Sequence, residues 1–185
     1  MTLEPDTPIV LVGMPGSGKS TVGRRLAAAL GRRFVDSDRE VERHCGVSVA
    51  TIFEYEGEEG FRRREAAVIA ELIGEPGTVL ATGGGSMVSP ETRALLAASG
   101  YVIFLDVSLA ELWRRVRRNR NRPLLQTSDP HARLARLCAD RTPLYREAAD
   151  LTVSGARQPA AQMVADIIAQ LPEPLQARGP EAGSS

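Results

Sequence analysis

The sequence is almost without lysine. Of its 23 basic residues one, Lys19, is a lysine, and the others are arginines. The two side chains are not equivalent, because arginine carries a broad planar fork of donors and lysine a compact point charge. A chain that uses arginine everywhere else and keeps one lysine indicates that arginine would not serve at position 19.

Other absences exclude whole classes of protein. Two cysteines in 185 residues are too few for a disulfide framework, so we expect Cys45 and Cys138 to be small buried hydrophobic residues in a reducing compartment. The formal net charge is zero, so no overall field attracts nucleic acid or an anionic membrane. No apolar run approaches the roughly 20 residues that span a bilayer, and the N-terminus lacks the features of a signal peptide. We therefore expect a cytoplasmic protein without nucleic-acid or membrane partners.

Short apolar segments alternate with segments of helical periodicity. Strands are predicted at 8–13, at 33–36, within 77–85 ahead of a glycine loop, at 101–106 and at 151–154. Helices are predicted at 19–30, through much of 38–72 with breaks near Gly46 and Gly57, from about Pro90, from Ser108, and at about 131–149 and 159–171. This alternation predicts an α/β fold of three layers, with a five-stranded parallel sheet covered on both faces. Residues 1–171 are predicted to form one domain, and 172–185, rich in Pro, Gly and Ser, to be disordered.

The segment "GMPGSGKS" at 13–20 follows the first strand and opens the first helix. It fits the phosphate-binding pattern G-x-x-x-x-G-K-[ST], in which glycines let backbone N–H groups approach phosphate oxygens and the helix offers its positive end. Lysine reaches the β- and γ-phosphates, and the following hydroxyl serves Mg²⁺. We therefore predict binding of a nucleoside triphosphate. The residues predicted to contact it are Gly16, Ser17, Gly18, Lys19, Ser20 and Thr21.

Two classes of nucleotide-binding protein fit less well than a small phosphotransferase. The guanine-reading motif N-K-x-D of GTPases is absent, because the one lysine already lies in the phosphate loop. Asp106 ends an apolar strand as the metal-binding acid of motor ATPases does, or else it simply precedes the Ser108 cap of the next helix. Such ATPases are usually larger than this chain.

The segment "DSD" at 36–38 places two carboxylates at the carboxyl end of the second strand, the edge where α/β proteins bind ligands. Paired carboxylates beside a metal–nucleotide complex can hold the metal and deprotonate an acceptor hydroxyl. The alternative is a turn in which Asp38 caps the following helix.

Three consecutive arginines, Arg62 to Arg64, are separated by helical geometry. At about 100° per residue, Glu65 falls in the middle of an apolar helix face and Arg62 on its edge, whereas Arg63 and Arg64 point outward. A carboxylate on an apolar face needs a partner, and Arg62 lies one turn away. Either the pair is a structural ion bridge, or Glu65 braces Arg62 for binding an anionic substrate.

Two further segments have less specific patterns. Gly83 to Gly85 follow the third strand and are either a flexible turn or a place where backbone contacts a substrate. The run "RRVRRNRNRP" at 114–123 is a solvated helix end, a nucleic-acid patch or part of a nucleotide lid. Few aromatic residues accompany it, which disfavours nucleic acid.

Taken together, these motifs resemble the shikimate kinase family. The matching elements, in family order, are G-x-x-G-x-G-K-S-T at 13–21, D-S-D at 36–38, F-R-x-x-E at 61–65, G-G-G at 83–85, R-P-L-L at 122–125 and R-x-P-L-Y at 141–145. The phosphate loop is shared by many kinases, but D-S-D, F-R-x-x-E and R-x-P-L-Y together are specific.

The resemblance implies ATP- and Mg²⁺-dependent phosphorylation of the 3-hydroxyl of shikimate, in aromatic amino-acid biosynthesis, by a P-loop kinase fold. It implies a substrate-binding segment at about 36–65 and a mobile lid at about 115–130, and we expect a monomer. Asp38 would bind the hydroxyl groups of the substrate and act as the base. The carboxylate of the substrate would be held by Arg62, Arg141 and Gly84. Mg²⁺ would be bound by Ser20 and Asp36. The predicted catalytic residues are Asp38, Lys19 and Arg122, and the predicted nucleotide contacts beyond the phosphate loop are Arg115, Arg122 and Arg157. Kinases for gluconate or nucleoside monophosphates, and a nucleotide-binding module without turnover, are the alternatives.

Overall fold

The computed structural model describes residues 2–117, 125–155 and 158–176. Five strands form one parallel sheet in the order β2-β3-β1-β4-β5. The strands are β1 (Ile9–Val12), β2 (Arg33–Asp36), β3 (Thr78–Ala81), β4 (Tyr101–Asp106) and β5 (Leu151–Ser154). The predicted α/β fold with a five-stranded parallel sheet is therefore confirmed.

Helices cover both faces of the sheet. They are α1 (Lys19–Leu30), α2 (Ser37–Cys45), α3 (Val49–Leu72), α4 (Pro90–Ser99), α5 (Leu109–Val116), α6 (Pro130–Ala148), α7 (Ala160–Gln170) and α8 (Glu173–Gln176), with a short 3₁₀ helix at Ser86–Val88. The predicted breaks are present: Gly46 ends α2 with φ 69°, and Gly57 interrupts α3 with φ 69° and ψ −175°.

The core is divided by the sheet into two apolar clusters. Side chains alternate across a strand, so in the fully buried β1 Val10 and Val12 face one cluster, and Ile9 and Leu11 face the other. The first cluster is completed by helices α2 to α6, and the second by α1, α7 and α8. Strands apolar on both faces are what a doubly covered parallel sheet requires.

One sequence-based expectation was wrong in part. Residues 172–176 lie in the segment predicted to be disordered, but α8 packs on the sheet through the fully buried Leu175, whose carbonyl accepts a hydrogen bond from Arg32. Helix α6 runs unbroken through Pro143, over the span predicted for a helix at about 131–149. The buried Tyr145 that follows holds this part of the helix against the core.

Because all strands are parallel, their carboxyl ends meet at one edge of the sheet. The phosphate loop follows β1 there, Asp36 ends β2, and the glycine triplet follows β3. Residues far apart in sequence thus come together at this edge. In the part of the chain described, no helix is both long and apolar enough to cross a membrane.

Candidate active site

The phosphate loop has the conformation that its glycines allow. Gly16 and Gly18 have φ of 88° and 100°, which side chains other than glycine rarely adopt. Gly18 is also the N-cap of α1, and no side chain caps this helix end. The Lys19 ammonium donates to the carbonyls of Gly13 and Met14 at 2.8 and 3.0 Å. The loop and its lysine therefore form a cationic, donor-rich cradle.

Ser20 and Asp36 are brought together from α1 and β2. The Ser20 hydroxyl donates to Asp36 Oδ2 at 2.6 Å. Asp36 occupies the N-cap position of α2, but its side chain makes no capping bond. The two residues predicted to serve Mg²⁺ thus lie side by side, and together they offer oxygen atoms of the kind that bind this ion.

Two cavities meet beside this cradle. The larger, of about 560 Å³, is lined by the phosphate loop, Lys19, Ser20, Asp36 and Arg115 among others. The smaller, of about 240 Å³, is lined by Arg62, Glu42, the glycine triplet and an apolar wall. That wall comprises Val49, Phe53, Phe61, Leu125, Leu134 and Leu137. The two cavities share Pro15, Asp38 and Gly84, so Asp38 lies at their junction.

Asp38 stands in the first turn of α2, and the suggestion that it caps this helix was wrong. Its Oδ1 is buried and has no hydrogen-bond partner among the described residues. Burial raises the pKa of Asp38 to about 6, and the negative charges of Glu65 and Asp36 add to the rise, against the opposing effect of Lys19 and Arg62. A carboxyl group with such a pKa can take up a proton near neutral pH.

Arg62 and Glu65 pair as the helical geometry predicted. Arg62 Nη1 donates to Glu65 Oε2 at 2.5 Å, and the Glu65 side chain is 1% exposed. Burial raises the pKa of Glu65, and the charge of Arg62 opposes the rise. Arg63, 67% exposed, pairs with Glu59 on the surface. The prediction that Arg62 faces inward and Arg63 outward is confirmed.

Arg64 also points outward but has an unexpected partner. It pairs with Glu56, eight residues earlier, and its guanidinium also contacts Cys45 Sγ at 3.5 Å. Side chains eight residues apart do not meet on a regular helix. The break at Gly57 lies between Glu56 and Arg64, and it brings the turn before the break close to the turn that carries Arg64.

The glycine triplet is a closely packed turn. Gly83 N–H donates to the Ser37 hydroxyl at 2.9 Å. A Cβ atom on Gly83 would collide with the Glu65 carboxylate, and one on Gly85 would collide with the Arg62 guanidinium. The triplet therefore lets the Arg62–Glu65 pair approach the backbone, and this close packing favours the second reading of the segment over that of a flexible turn.

Helix α6 holds the triplet from the other side. Arg141 Nη1 donates to the Gly84 carbonyl at 2.9 Å, and the Tyr145 hydroxyl donates to the same oxygen. Both residues are buried, and burial raises the pKa of Tyr145 well above its usual value. The sequence analysis included Tyr145 in the R-x-P-L-Y motif but gave it no role, although its spacing of four residues from Arg141 places the two on one helix face.

Arg141 lies behind the smaller cavity and is not among the residues that line it. Its Nη2 is 3.6 Å from Glu58 Oε1, and the same oxygen accepts a hydrogen bond from Arg62 Nη2 at 3.3 Å. The structure thus brings Arg62, Gly84 and Arg141 together as predicted and adds a carboxylate that sequence reasoning missed.

Arg115 reaches back to the phosphate loop from α5. Its Nη1 donates to the carbonyls of Gly16 and Ser17, each at 3.2 Å, and its Nε donates to Glu111 Oε1 at 2.7 Å. Hydrogen bonds from Arg114 and Arg115 lower the pKa of Glu111 to about 2. The Glu111 N–H also donates to the hydroxyl of Ser108, which caps α5.

The structure does not describe two of the predicted site residues and disagrees with a third candidate. Arg122 and Arg157 lie outside the described residues, as does much of the expected lid. Asp106 lines neither cavity and instead pairs with Arg146 at 2.7 Å, so the reading of Asp106 as a metal-binding acid is not supported.

Comparisons with known proteins agree on one family. The family model described as "Shikimate kinase" matches residues 15–172. The chain is 57% identical over 152 residues to the shikimate kinase of Nitrosospira multiformis, covering 82% of this chain and 78% of the relative. It is 54% identical over 159 residues to that of Thioalkalivibrio sulfidiphilus, covering 86% and 84%.

Solved structures add to these sequence matches. Shikimate kinase from Acinetobacter baumannii, in complex with shikimate, superposes with a TM-score of 0.87 at 44% identity, covering 89% of this chain and 92% of that one. A gluconokinase from Sinorhizobium meliloti, at 21% identity and a TM-score of 0.56, shares the fold alone. On its sequence, its fold and the residues gathered at its sheet edge, the chain belongs to the shikimate kinase family.

Proposed function

We propose that this enzyme transfers the γ-phosphoryl group of ATP to the 3-hydroxyl group of shikimate, giving shikimate 3-phosphate and ADP, in aromatic amino-acid biosynthesis. The observation that carries the proposal is the position of Asp38. It lies where the cavity of the phosphate loop meets the cavity of Arg62, which is where a donor phosphate and an acceptor hydroxyl would meet.

The larger cavity suits the phosphates of ATP. Backbone N–H groups at the start of α1 and the Lys19 ammonium supply positive charge to the transferring phosphoryl group. Arg115 borders this cavity and is assigned to the nucleotide as well. Arg122 and Arg157, assigned to the ATP phosphates and to the adenine side, keep these roles as part of the proposal.

The smaller cavity suits a small, anionic, hydroxyl-bearing acceptor. Arg62 lies at its rim and Arg141 behind Gly84, and a pair of guanidinium groups can hold a carboxylate by charge-assisted hydrogen bonds. The apolar wall offers a surface for the carbon ring. Glu65 keeps Arg62 in place, so the substrate carboxylate meets an oriented guanidinium.

Mg²⁺ is the expected metal, and Ser20 and Asp36 are the residues that would hold it. Both present hard oxygen atoms, and Mg²⁺ typically takes one or two carboxylates together with substrate phosphates and water. Among the described residues no group of three or more His, Cys, Asp or Glu is arranged to hold a metal ion. One hydroxyl and one carboxylate fit a metal that is shared with the nucleotide. Bound there, the ion would neutralise phosphate charge.

Asp38 is proposed as the general base. Its carboxylate takes the proton of the 3-hydroxyl group as that oxygen bonds to the γ-phosphorus, and the bond from phosphorus to the bridging oxygen of ADP breaks. The proton ends on Asp38 and the negative charge on ADP. A pKa of about 6 leaves the group ionised at neutral pH and still basic enough to accept the proton.

A coupled ADP-release assay tests the proposal. We expect turnover with ATP, Mg²⁺ and shikimate that exceeds turnover with gluconate, CMP or AMP, and a phosphorus NMR spectrum that identifies the ester at the 3-position. Absence of shikimate-dependent turnover, or faster turnover with gluconate or a nucleotide, would reject the assignment. We also propose that the enzyme is a cytoplasmic monomer, which light scattering on a gel-filtration column and cell fractionation would test.

A further inference from the structure

The carboxylate of Glu58 has no part in the reaction described above. Glu58 Oε1 lies between two guanidinium groups, 3.3 Å from Arg62 Nη2 and 3.6 Å from Arg141 Nη2. These are the two arginines assigned to the carboxylate of the substrate. A carboxylate of the protein and a carboxylate of the substrate therefore have the same partners.

We propose that Glu58 is a specificity-determining residue, an internal carboxylate that pairs with Arg62 and Arg141 until the carboxylate of the substrate replaces it. The inference rests on the proposed function, since it concerns the subsite assigned to the shikimate carboxylate. Substrate binding at this subsite is then an exchange of anions, in which the Glu58 carboxylate leaves the two arginines as the substrate carboxylate binds them.

Exposure decides which carboxylate can leave. Glu65 also contacts Arg62, but its side chain is 1% exposed, so moving it from its partner would leave a buried charge unpaired. The Glu58 side chain is 42% exposed and can turn its charge into water. Arg141 is 6% exposed and Arg62 21% exposed, so both cations need a partner whether substrate is bound or not.

The position of Glu58 along the chain supports this role. It directly follows Gly57, where α3 is interrupted, and so stands in the first turn of the second helical part. An acidic side chain is favoured at such a helix start. Glu59 next to it, 90% exposed, pairs with Arg63 on the surface and does not contact the site.

Two consequences follow for binding. Because Glu58 is tethered beside the arginines, it competes at a high effective concentration, so weakly bound anions from solution are excluded and the apparent affinity for substrate is reduced. A ligand without an anionic group at this point cannot take the place of Glu58. The residue therefore selects for a ligand that carries a negative charge at this point.

The test compares Glu58→Gln with the matched control Glu59→Gln, using calorimetric titration with shikimate and steady-state kinetics. For Glu58→Gln we expect the dissociation constant and the KM for shikimate to fall by about two- to tenfold, with kcat little changed. Acetate should become a stronger competitive inhibitor of this variant, and the affinity for shikimate methyl ester should not rise. Glu59→Gln should behave as the wild type does in each measurement.

Other outcomes would overturn the inference. An unchanged or weaker affinity of Glu58→Gln for shikimate would show that Glu58 merely orients the arginines, and an unchanged response to acetate would exclude the exchange. Thermal melting of Glu58→Gln and Glu59→Gln shows whether each variant keeps the fold. A further variant, Glu58→Asp, retains the negative charge and should respond to acetate as the wild type does. If the wild type binds and phosphorylates shikimate but the variants do not differ, this inference alone fails; if the wild type does neither, the proposed function fails with it.

Discussion

The Glu65 carboxylate lies against the Arg62 guanidinium at 2.5 Å, and the glycine triplet leaves the space for this contact. A side chain on Gly83 would collide with Glu65, and one on Gly85 with Arg62. The ion pair and the turn after β3 are therefore one structural unit. A buried charge held in this way is oriented before any ligand arrives, which lowers the cost of binding an anion.

The first prediction distinguishes two adjacent arginines. Arg62→Ala should lose on the order of 2 to 5 kcal/mol of interaction with shikimate, because it removes one half of a desolvated charge pair and leaves Glu65 unpaired. Arg63→Ala, at the surface, should stay near the wild type. Titration calorimetry with shikimate measures both, and equal losses would contradict the assignment of Arg62 to the substrate.

The second prediction concerns the pH dependence of the reaction. The pKa of Asp38 is raised to about 6, so kcat/KM for shikimate should rise with pH through an apparent pKa near 6 as the base becomes ionised. Asp38→Asn should lower kcat by about 100-fold or more. A pH–rate profile without this limb, or an active Asp38→Asn enzyme, would exclude Asp38 as the base.

The same group should affect stability with the opposite sign. Its folded pKa of about 6 lies above its ordinary value of 3.8, so the folded state holds the proton more tightly, and stability is lost as pH rises between these values. At pH above about 7 the ionised group should cost about 1 to 3 kcal/mol. Asp38→Asn should therefore melt higher than the wild type at neutral pH, by a margin that shrinks toward pH 4.

The third prediction concerns Lys19, the one lysine of the chain. The Lys19 ammonium fits between the carbonyls of Gly13 and Met14, a space suited to a compact charge. Lys19→Arg should lower kcat/KM for ATP by about 100-fold or more, without unfolding the protein. The reverse exchange at an exposed position of the same helix, Arg25→Lys, should have no effect. Near-normal activity of Lys19→Arg would show that any cation serves at this position.

The fourth prediction concerns Glu111, which acts through Arg115. Glu111→Gln should raise KM for ATP by about three- to tenfold, because Arg115 would lose the partner that holds it against the phosphate loop. KM for shikimate should change little. Arg114→Gln removes the other, more exposed partner of Glu111 and should leave KM for ATP unchanged. Equal effects of the two variants would argue against positioning through Arg115.

Much of the fold and part of the site could be predicted because their signals are local. Helix α1 and strands β2, β4 and β5 have the predicted bounds, since apolar runs and helical periodicity reflect burial directly. Arg62 and Glu65 lie three residues apart, so the geometry of one helix is enough to pair them. The phosphate loop, too, is a contiguous segment whose residue types follow from its task.

The sequence by itself determined the α/β class, the phosphate loop and the inward-facing Arg62. Only the tertiary structure decided that Glu58 lies between Arg62 and Arg141, that Tyr145 holds the Gly84 carbonyl, and that Leu175 belongs to the core. The Glu58–Arg62 contact is an i,i+4 pair within α3, but the contacts of Glu58 with Arg141, of Tyr145 with Gly84 and of Leu175 with the core join residues from different elements. No periodicity within one element specifies these three. They arise because parallel strands bring distant segments to one sheet edge and because buried polar groups must find partners there.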